Sequence, residues 1–318
     1  MKAYRFDSVE GGLQLQDIVK PSPSAGQVQI KVEVCGLCHS DCHIINGQTT
    51  QIQRPLTLGH EAAGVVTELG EGVSNFKIGD RVVIGLGGHP TRPDKVIGLS
   101  CDGAYAEYAV SPARMVVPIP GSLSWEQAAV ATDSVVTAYH AVVAEGKVNR
   151  SMKVAVIGLG GLGSIGLQIA ILQGAEVYAF DIDTKKVEMA RTSGAKGCFR
   201  TLDEAEDVKF DVILDFVGMT VTMAAALNAI VYGGRIVMIG LNEPTVTLST
   251  FGMACNNVEI RAALGGSLKE LSVVLDLLDK GKIVATVEEV PFDKLSEGLH
   301  RLETGKVVGR LFTRPNRS

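Results

Sequence analysis

One short stretch gathers side chains that bind metals. It reads Cys35-Gly36-Leu37-Cys38-His39-Ser40-Asp41-Cys42-His43, and Gly59-His60-Glu61 follows soon after. Thiolate, imidazole and carboxylate are the donors zinc takes, and three protein donors with one open position make a catalytic rather than a structural site. Two other chemistries use the same residue types: a redox pair of Cys35 and Cys38, or buried and inert cysteine.

A second chemistry is written in Gly158-Leu159-Gly160-Gly161-Leu162-Gly163. The apolar, β-branched run before it, 153–157, predicts a buried strand. After it, Leu162, Ile165, Ile169 and Leu172 recur at helical spacing, and Gly174 is placed to end the helix. Residues 176–180 then predict a second strand that finishes on Asp181. In such a unit Gly158 permits the tight turn, Gly160 lets backbone approach a pyrophosphate, and Gly163 lets helix and strand pack closely. The phosphates sit on unpaired N–H groups at the helix start, where the macrodipole favours negative charge. Asp181 falls where a carboxylate hydrogen-bonds ribose hydroxyls, which favours NAD over NADP, although Lys185 and Lys186 nearby work against that preference. The alternative is a glycine-rich turn in a purely structural βα unit.

The elements that must carry these groups differ along the chain. Val28, Ile30, Val32 and Val34 alternate at period two and predict a half-buried antiparallel strand. Further strands are expected near 63–68, 81–84 and 105–110, so the amino-terminal part is a β-rich unit. Residues 124–143 turn helical in pattern and bridge into the centre, with Trp125 expected in the core there. The centre repeats strand and helix, with strands at 154–157, 177–180, 212–216 and 235–239, which implies a parallel sheet covered on both faces. Gly218 and Gly240 close two of these strands at the carboxyl edge, where an open α/β sheet binds its ligand. A helix near 268–278 and a strand near 308–313 are expected to return to the β-rich unit.

Composition narrows the rest. A chain of 318 residues, 46% apolar and 20% charged, can bury a large core in two domains. A net charge of −5 gives no reason to expect nucleic acid, and no apolar run reaches membrane-spanning length. The first six residues lack the apolar core of a signal peptide, and six cysteines do not form a disulfide framework at this size, which suits the cytoplasm.

Taken together with Gly79-Asp80-Arg81-Val82 and Gly103-Ala104-Tyr105-Ala106-Glu107-Tyr108, the cluster and the glycine turn resemble the zinc-dependent alcohol dehydrogenases of the medium-chain dehydrogenase/reductase family. The resemblance runs from end to end of the chain. It implies an α/β fold in which a Rossmann doubly wound parallel sheet, 135–266, is inserted in a β-rich GroES-like catalytic domain, 1–134 plus 267–318. It makes Cys38 and His60 zinc ligands, with Asp133 at the position where relatives usually carry a cysteine; the alternative for Asp133 is a helix cap. Glu61 is the acid beside the zinc, and Asp41 orients His60. Ser40 and His43 form the proton relay. His39 and Arg310 contact the cofactor pyrophosphate, Thr137 and Leu162 press the nicotinamide ring, and Lys186 contacts a ribose.

One lobe of the family is missing. Between Val83 and Gly103 only Cys101 and His89 are donors of the kind a structural zinc needs, among Gly85, Gly87, Gly88, Pro90 and Pro93, so one zinc per subunit is expected. Leu86 falls where relatives often place a bulky aromatic, which predicts a wider substrate pocket. The resemblance thus implies a reversible, NAD-dependent conversion of a primary or secondary alcohol to an aldehyde or ketone, by a homo-oligomer (dimer or tetramer) whose pairing edge is expected at 244–251. The rivals are a zinc-free quinone or enoyl reductase of the same fold, and a cofactor-binding protein without turnover.

Overall fold

A computed structural model describes residues 1–48, 54–87 and 95–317. Gly88, His89, Pro90 and Pro93 lie outside the described residues. The chain forms two compact units, Met1–Val136 with Gly266–Ser318, and Thr137–Gly265.

The first unit is built on the long strand Gln27–Leu37. Its alternation holds from Ile30 to Val34: Val28, Ile30, Val32 and Val34 are fully buried and Lys31 and Glu33 half-buried, but Gln29 is buried too, its amide donating to the Pro21 carbonyl at 2.6 Å. Three strands pair with it antiparallel, Glu61–Leu69, Tyr108–Pro112 and Arg310–Thr313. The sheet continues through Val287–Glu289 on one side and through Arg81–Ile84 and Val116–Pro118 on the other. A smaller sheet of Gly12–Asp17, Lys2–Ser8 and Leu56–Thr57 completes the unit among the described residues. The strand expected at 105–110 begins only at Tyr108, because Tyr105 is a wholly buried turn residue.

Residues 125–145 are helical throughout, but not as one regular α-helix. Trp125–Val130 is α-helical, Ala131–Val135 is a π-turn, Val136–Tyr139 is α-helical again and His140–Glu145 is a second π-turn. A π-turn spaces its side chains unlike an α-helix, and such turns recur at functional sites. Asp133 sits in the first of them. Trp125 is half-buried rather than core, with the Arg81 guanidinium over its ring at 4.3 Å.

The second unit is a six-stranded parallel sheet in the order Gly197–Phe199, Glu176–Phe180, Lys153–Ile157, Phe210–Asp215, Ile230–Met238, Glu259–Ala262. Numbered within the unit this is 3-2-1-4-5-6, the order of a dinucleotide-binding sheet. The two outer strands are short and carry no alternation, which hides them in the sequence. The first helix, Gly163–Leu172, buries Ile165, Leu167, Ile169 and Ala170, while Leu172 at its end is exposed, so the apolar stripe stops one turn early. The sheet edge is Glu259–Ala262; residues 244–251 form no strand.

Candidate metal and dinucleotide sites

The metal cluster follows from strand register. Gln27–Leu37 delivers Cys38 at its carboxyl end, where Cys38 is the N-cap of the short helix His39–Ile45. Gly36 pairs with Glu61 on one side and with Phe312 on the other, so His60, Glu61 and Arg310 arrive beside Cys38. Gly59, at φ +89°, brings the chain into His60; a Cβ there would meet the Tyr105 ring at 2.6 Å. Asp133 comes from the π-turn.

The donor atoms of Cys38, His60, Glu61 and Asp133 all lie within 4.8 Å of one another. Cys38 Sγ is 3.2 Å from Asp133 Oδ2, and His60 Nε2 is 3.6 Å from the same oxygen. Ser40 Oγ lies 3.5 Å from Cys38 Sγ. Behind His60, Asp41 Oδ2 accepts from the Cys38 amide at 3.1 Å and from the Tyr105 hydroxyl at 2.7 Å. Its Oδ1 faces His60 Nδ1 at 3.5 Å, and both atoms are buried without a hydrogen-bond partner.

These groups shift one another. Burial opposes a charge on His60, yet Asp41, with Asp133 and Cys38, holds its imidazole well above the usual histidine range. Burial would raise Asp133, but the hydrogen bond and charge of His60, with Arg310, keep it well below the usual carboxylate range. Burial pushes Glu61 up, Arg310 opposes this, and the adjacent Asp133 carboxylate adds to it. Asp41, Glu61, Asp133 and a thiol thus face one guanidinium and one imidazole. The N/S/O donor set and the orphaned His60–Asp41 pair fit a zinc ion, whose histidine ligand would donate Nδ1–H to Asp41.

Arg310 differs from expectation. It is 3% exposed, and its guanidinium is engaged by Glu61 through Nη2 and Nε and by Asp133 through Nη2 at 3.0 Å, rather than presented outward for a pyrophosphate. His39 is exposed on the first turn of the short helix. His43 is half-buried, and its Nδ1 pairs with the Gln48 side-chain oxygen. Leu86 lies in the core of the first unit at 9% exposure. Gln48 carries no motif that marks it in the sequence, and the quoted run 103–108 contains Tyr105 without revealing its bond to Asp41.

The second unit collects the other candidates. Gly158 has φ +82°, and a Cβ on Gly163 would collide with the Gly158 carbonyl, so these glycines are required by turn and packing. Nothing lies within 4 Å of a Cβ on Gly160. Asp181 is anchored by the amides of Leu159 at 2.7 Å and Asp183 at 2.9 Å. Gly218, at φ +70°, packs directly against Gly240. Leu162 opens the first helix, Lys186 is half-buried on Thr184–Thr192, and Thr137 is buried at the start of the unit.

A mixed-donor metal cluster in one unit and a dinucleotide-type parallel sheet in the other define a metal- and nucleotide-dependent oxidoreductase. Residues 24–121 match the family model of the alcohol dehydrogenase GroES-like domain, and residues 161–280 that of the zinc-binding dehydrogenases. The chain is 32% identical to an alcohol dehydrogenase of Geobacillus stearothermophilus over 98% of each chain. Acetophenone reductase from Geotrichum candidum, solved in complex with NAD, superposes with a TM-score of 0.90 at 30% identity, covering 98% of this chain and 96% of that one. A cobalt- and zinc-bound thermostable alcohol dehydrogenase from Pyrobaculum aerophilum also reaches 0.90, at 29% identity over 99% of each chain. The chain belongs to the zinc-binding alcohol dehydrogenases of the medium-chain dehydrogenase/reductase family. It is an oxidoreductase that moves a hydride between an alcohol and NAD.

Proposed function

We propose that Cys38, His60 and Asp133 hold a single catalytic zinc, and that the turn from Gly158 to Gly163 holds NAD. The convergence of those three donors on one point, with Ser40 beside them, carries this reading. Bound there, zinc supplies Lewis acidity at the alcohol oxygen and NAD supplies the hydride acceptor. The chain does the rest. Ser40 Oγ accepts the alcohol proton, and His43, one turn further along the same short helix, receives it at Nε2, since Nδ1 is held by Gln48. Asp41 fixes the His60 ring, itself fixed by Tyr105 and the Cys38 amide. Glu61 stands beside the donors under the control of Arg310.

In the second unit, backbone N–H groups at the start of Gly163–Leu172 receive the pyrophosphate. Asp181 takes the ribose hydroxyls with Lys186 beside it, and Leu162 and Thr137 face the nicotinamide. Gly218 and Gly240 keep the carboxyl edge of the sheet clear of side chains. His39, from the first unit, would meet the phosphates as a neutral hydrogen-bond donor, because desolvation and the nearby Arg310 charge lower its pKa to about 4.

We place the protein in a reducing cytoplasm, because all six cysteines are free. No described helix is long and apolar enough to cross a membrane. A homo-oligomer, dimer or tetramer, is supported by the open edge strand Glu259–Ala262 and by exposed Tyr232, Phe251 and Leu264 in the same unit.

Elemental analysis of the purified protein, paired with NADH formation over a panel of primary and secondary alcohols, tests the reading. One zinc per chain, lost together with turnover in Cys38→Ala, is the expected result. Full activity without zinc would replace it with the zinc-free reductase.

A further inference from the structure

Four donors are one more than a catalytic zinc site uses. Cys38, His60, Glu61 and Asp133 reach close enough to one another to close a tetrahedron, and a closed tetrahedron leaves no place for a substrate. Two carboxylates therefore compete for one position, and something in the fold must separate them.

Arg310 treats the two acids unequally. Glu61 receives a fork: Nη2 donates to Oε1 and Nε to Oε2, so both of its oxygens are engaged. Asp133 is met by the same Nη2 at Oδ2, 3.0 Å away. A forked guanidinium–carboxylate pair is the stronger and geometrically more specific of the two arrangements. Nor can either partner easily turn away. Arg310 is buried on a strand whose register with Cys35, Gly36 and Leu37 is fixed, and Glu61 is fully buried against Gly36. Asp133 lies instead in a π-turn, with Oδ2 turned toward Cys38 Sγ and His60 Nε2.

We infer that Arg310 decides which carboxylate ligates the metal: its fork withholds Glu61, leaves Asp133 as the third ligand, and so keeps the fourth position open for substrate. This rests on the zinc site proposed above. Arg310 is then a positioning residue, since it touches the two acids and not the reacting atoms. It also explains why an arginine stands beside a cation site, where its charge alone would oppose the metal. Removing it frees Glu61 to close the site.

Cobalt-substituted protein tests this, because the visible bands of cobalt report its coordination and imidazole is a small probe of an open position. The parent bands should shift on adding imidazole. In Arg310→Met they should resist it, needing roughly tenfold more imidazole, and the metal should leave more slowly to a chelator. Arg310→Met combined with Glu61→Gln should respond like the parent, although it lacks the arginine equally. Arg310→Lys, a point charge without a fork, should fall between. Single and double variants that respond alike would overturn the inference and leave the metal site standing. A parent chain that takes up no cobalt would overturn both. If Arg310→Met does not fold, the Lys variant still decides, since an unchanged imidazole response there overturns the role of the fork.

Discussion

Gly36 stands opposite Glu61 in the antiparallel ladder, and a Cβ on Gly36 would overlap the Glu61 carboxylate at Oε2. The constraint is space rather than torsion, since Gly36 is not among the positive-φ glycines. Gly36→Ala is therefore an overpacking change inside the metal cluster, expected to cost about 1–3 kcal/mol. It should also push Glu61 off the Arg310 fork. Urea midpoints would measure the first effect and zinc content the second; a midpoint equal to that of the parent would show that Glu61 has another place to go.

Asp133 is the chain's departure from the usual cysteine, and the two substitutions that matter there have opposite outcomes. Asp133→Ala removes a donor that also pairs with Arg310, so bound zinc should fall toward zero and stability should drop, because a buried ion pair has lost a partner. Asp133→Cys supplies a thiolate that zinc accepts, so the metal should be retained. Elemental analysis of both variants after dialysis against a weak chelator gives the comparison. Equal zinc in parent and Ala variant would remove Asp133 from the ligand set.

Local pattern carried much of this arrangement, and topology carried what local pattern missed. Cys38, His60 and the glycine turn each sit in a motif a few residues long, so side-chain chemistry and spacing mark them. The pairing of Arg310 with Glu61 spans 249 residues and depends on the strand Arg310–Thr313 lying beside Gln27–Leu37. No local period encodes a strand order. The π-turn at Asp133 is similarly invisible, because the apolar spacing of 124–143 is compatible with an ordinary helix. The amino-terminal strand Lys2–Ser8 escaped because Ala3 and Tyr4 are buried side by side, which spoils the alternation that marked 28–34.

Asp215 gives the second unit a pH dependence. It is fully buried at the end of Phe210–Asp215, where Oδ1 accepts from the amides of Val217 and Gly218 and Oδ2 accepts from the Thr222 hydroxyl. Burial raises its pKa, and those hydrogen bonds only partly offset the rise. An acid with a raised folded pKa binds its proton more tightly when folded. Its contribution to stability is therefore largest below the unfolded value of about 3.9 and is lost as pH rises through the folded value. Asp215→Asn removes this slope. The stability difference, parent minus variant, should shrink as pH climbs from about 3.5 and level off above the raised folded value. A difference that stays flat across urea titrations over that range would mean Asp215 is not shifted.

The glycines of the nucleotide turn separate a packing role from a binding role. A Cβ on Gly163 would strike the Gly158 carbonyl, so Gly163→Ala should destabilise the second unit by roughly 1–3 kcal/mol. A Cβ on Gly160 meets nothing within 4 Å, and Gly160 is not a positive-φ position, so Gly160→Ala should unfold like the parent. What it should lose is close approach of backbone to the pyrophosphate. One imperfectly made phosphate contact is worth roughly a factor of ten in affinity, about 1.4 kcal/mol. NAD titration by nucleotide fluorescence, run beside thermal unfolding of both variants, would display the split. A Gly160→Ala chain that binds NAD as tightly as the parent would move the cofactor's phosphates away from this turn, even with the sheet order unchanged.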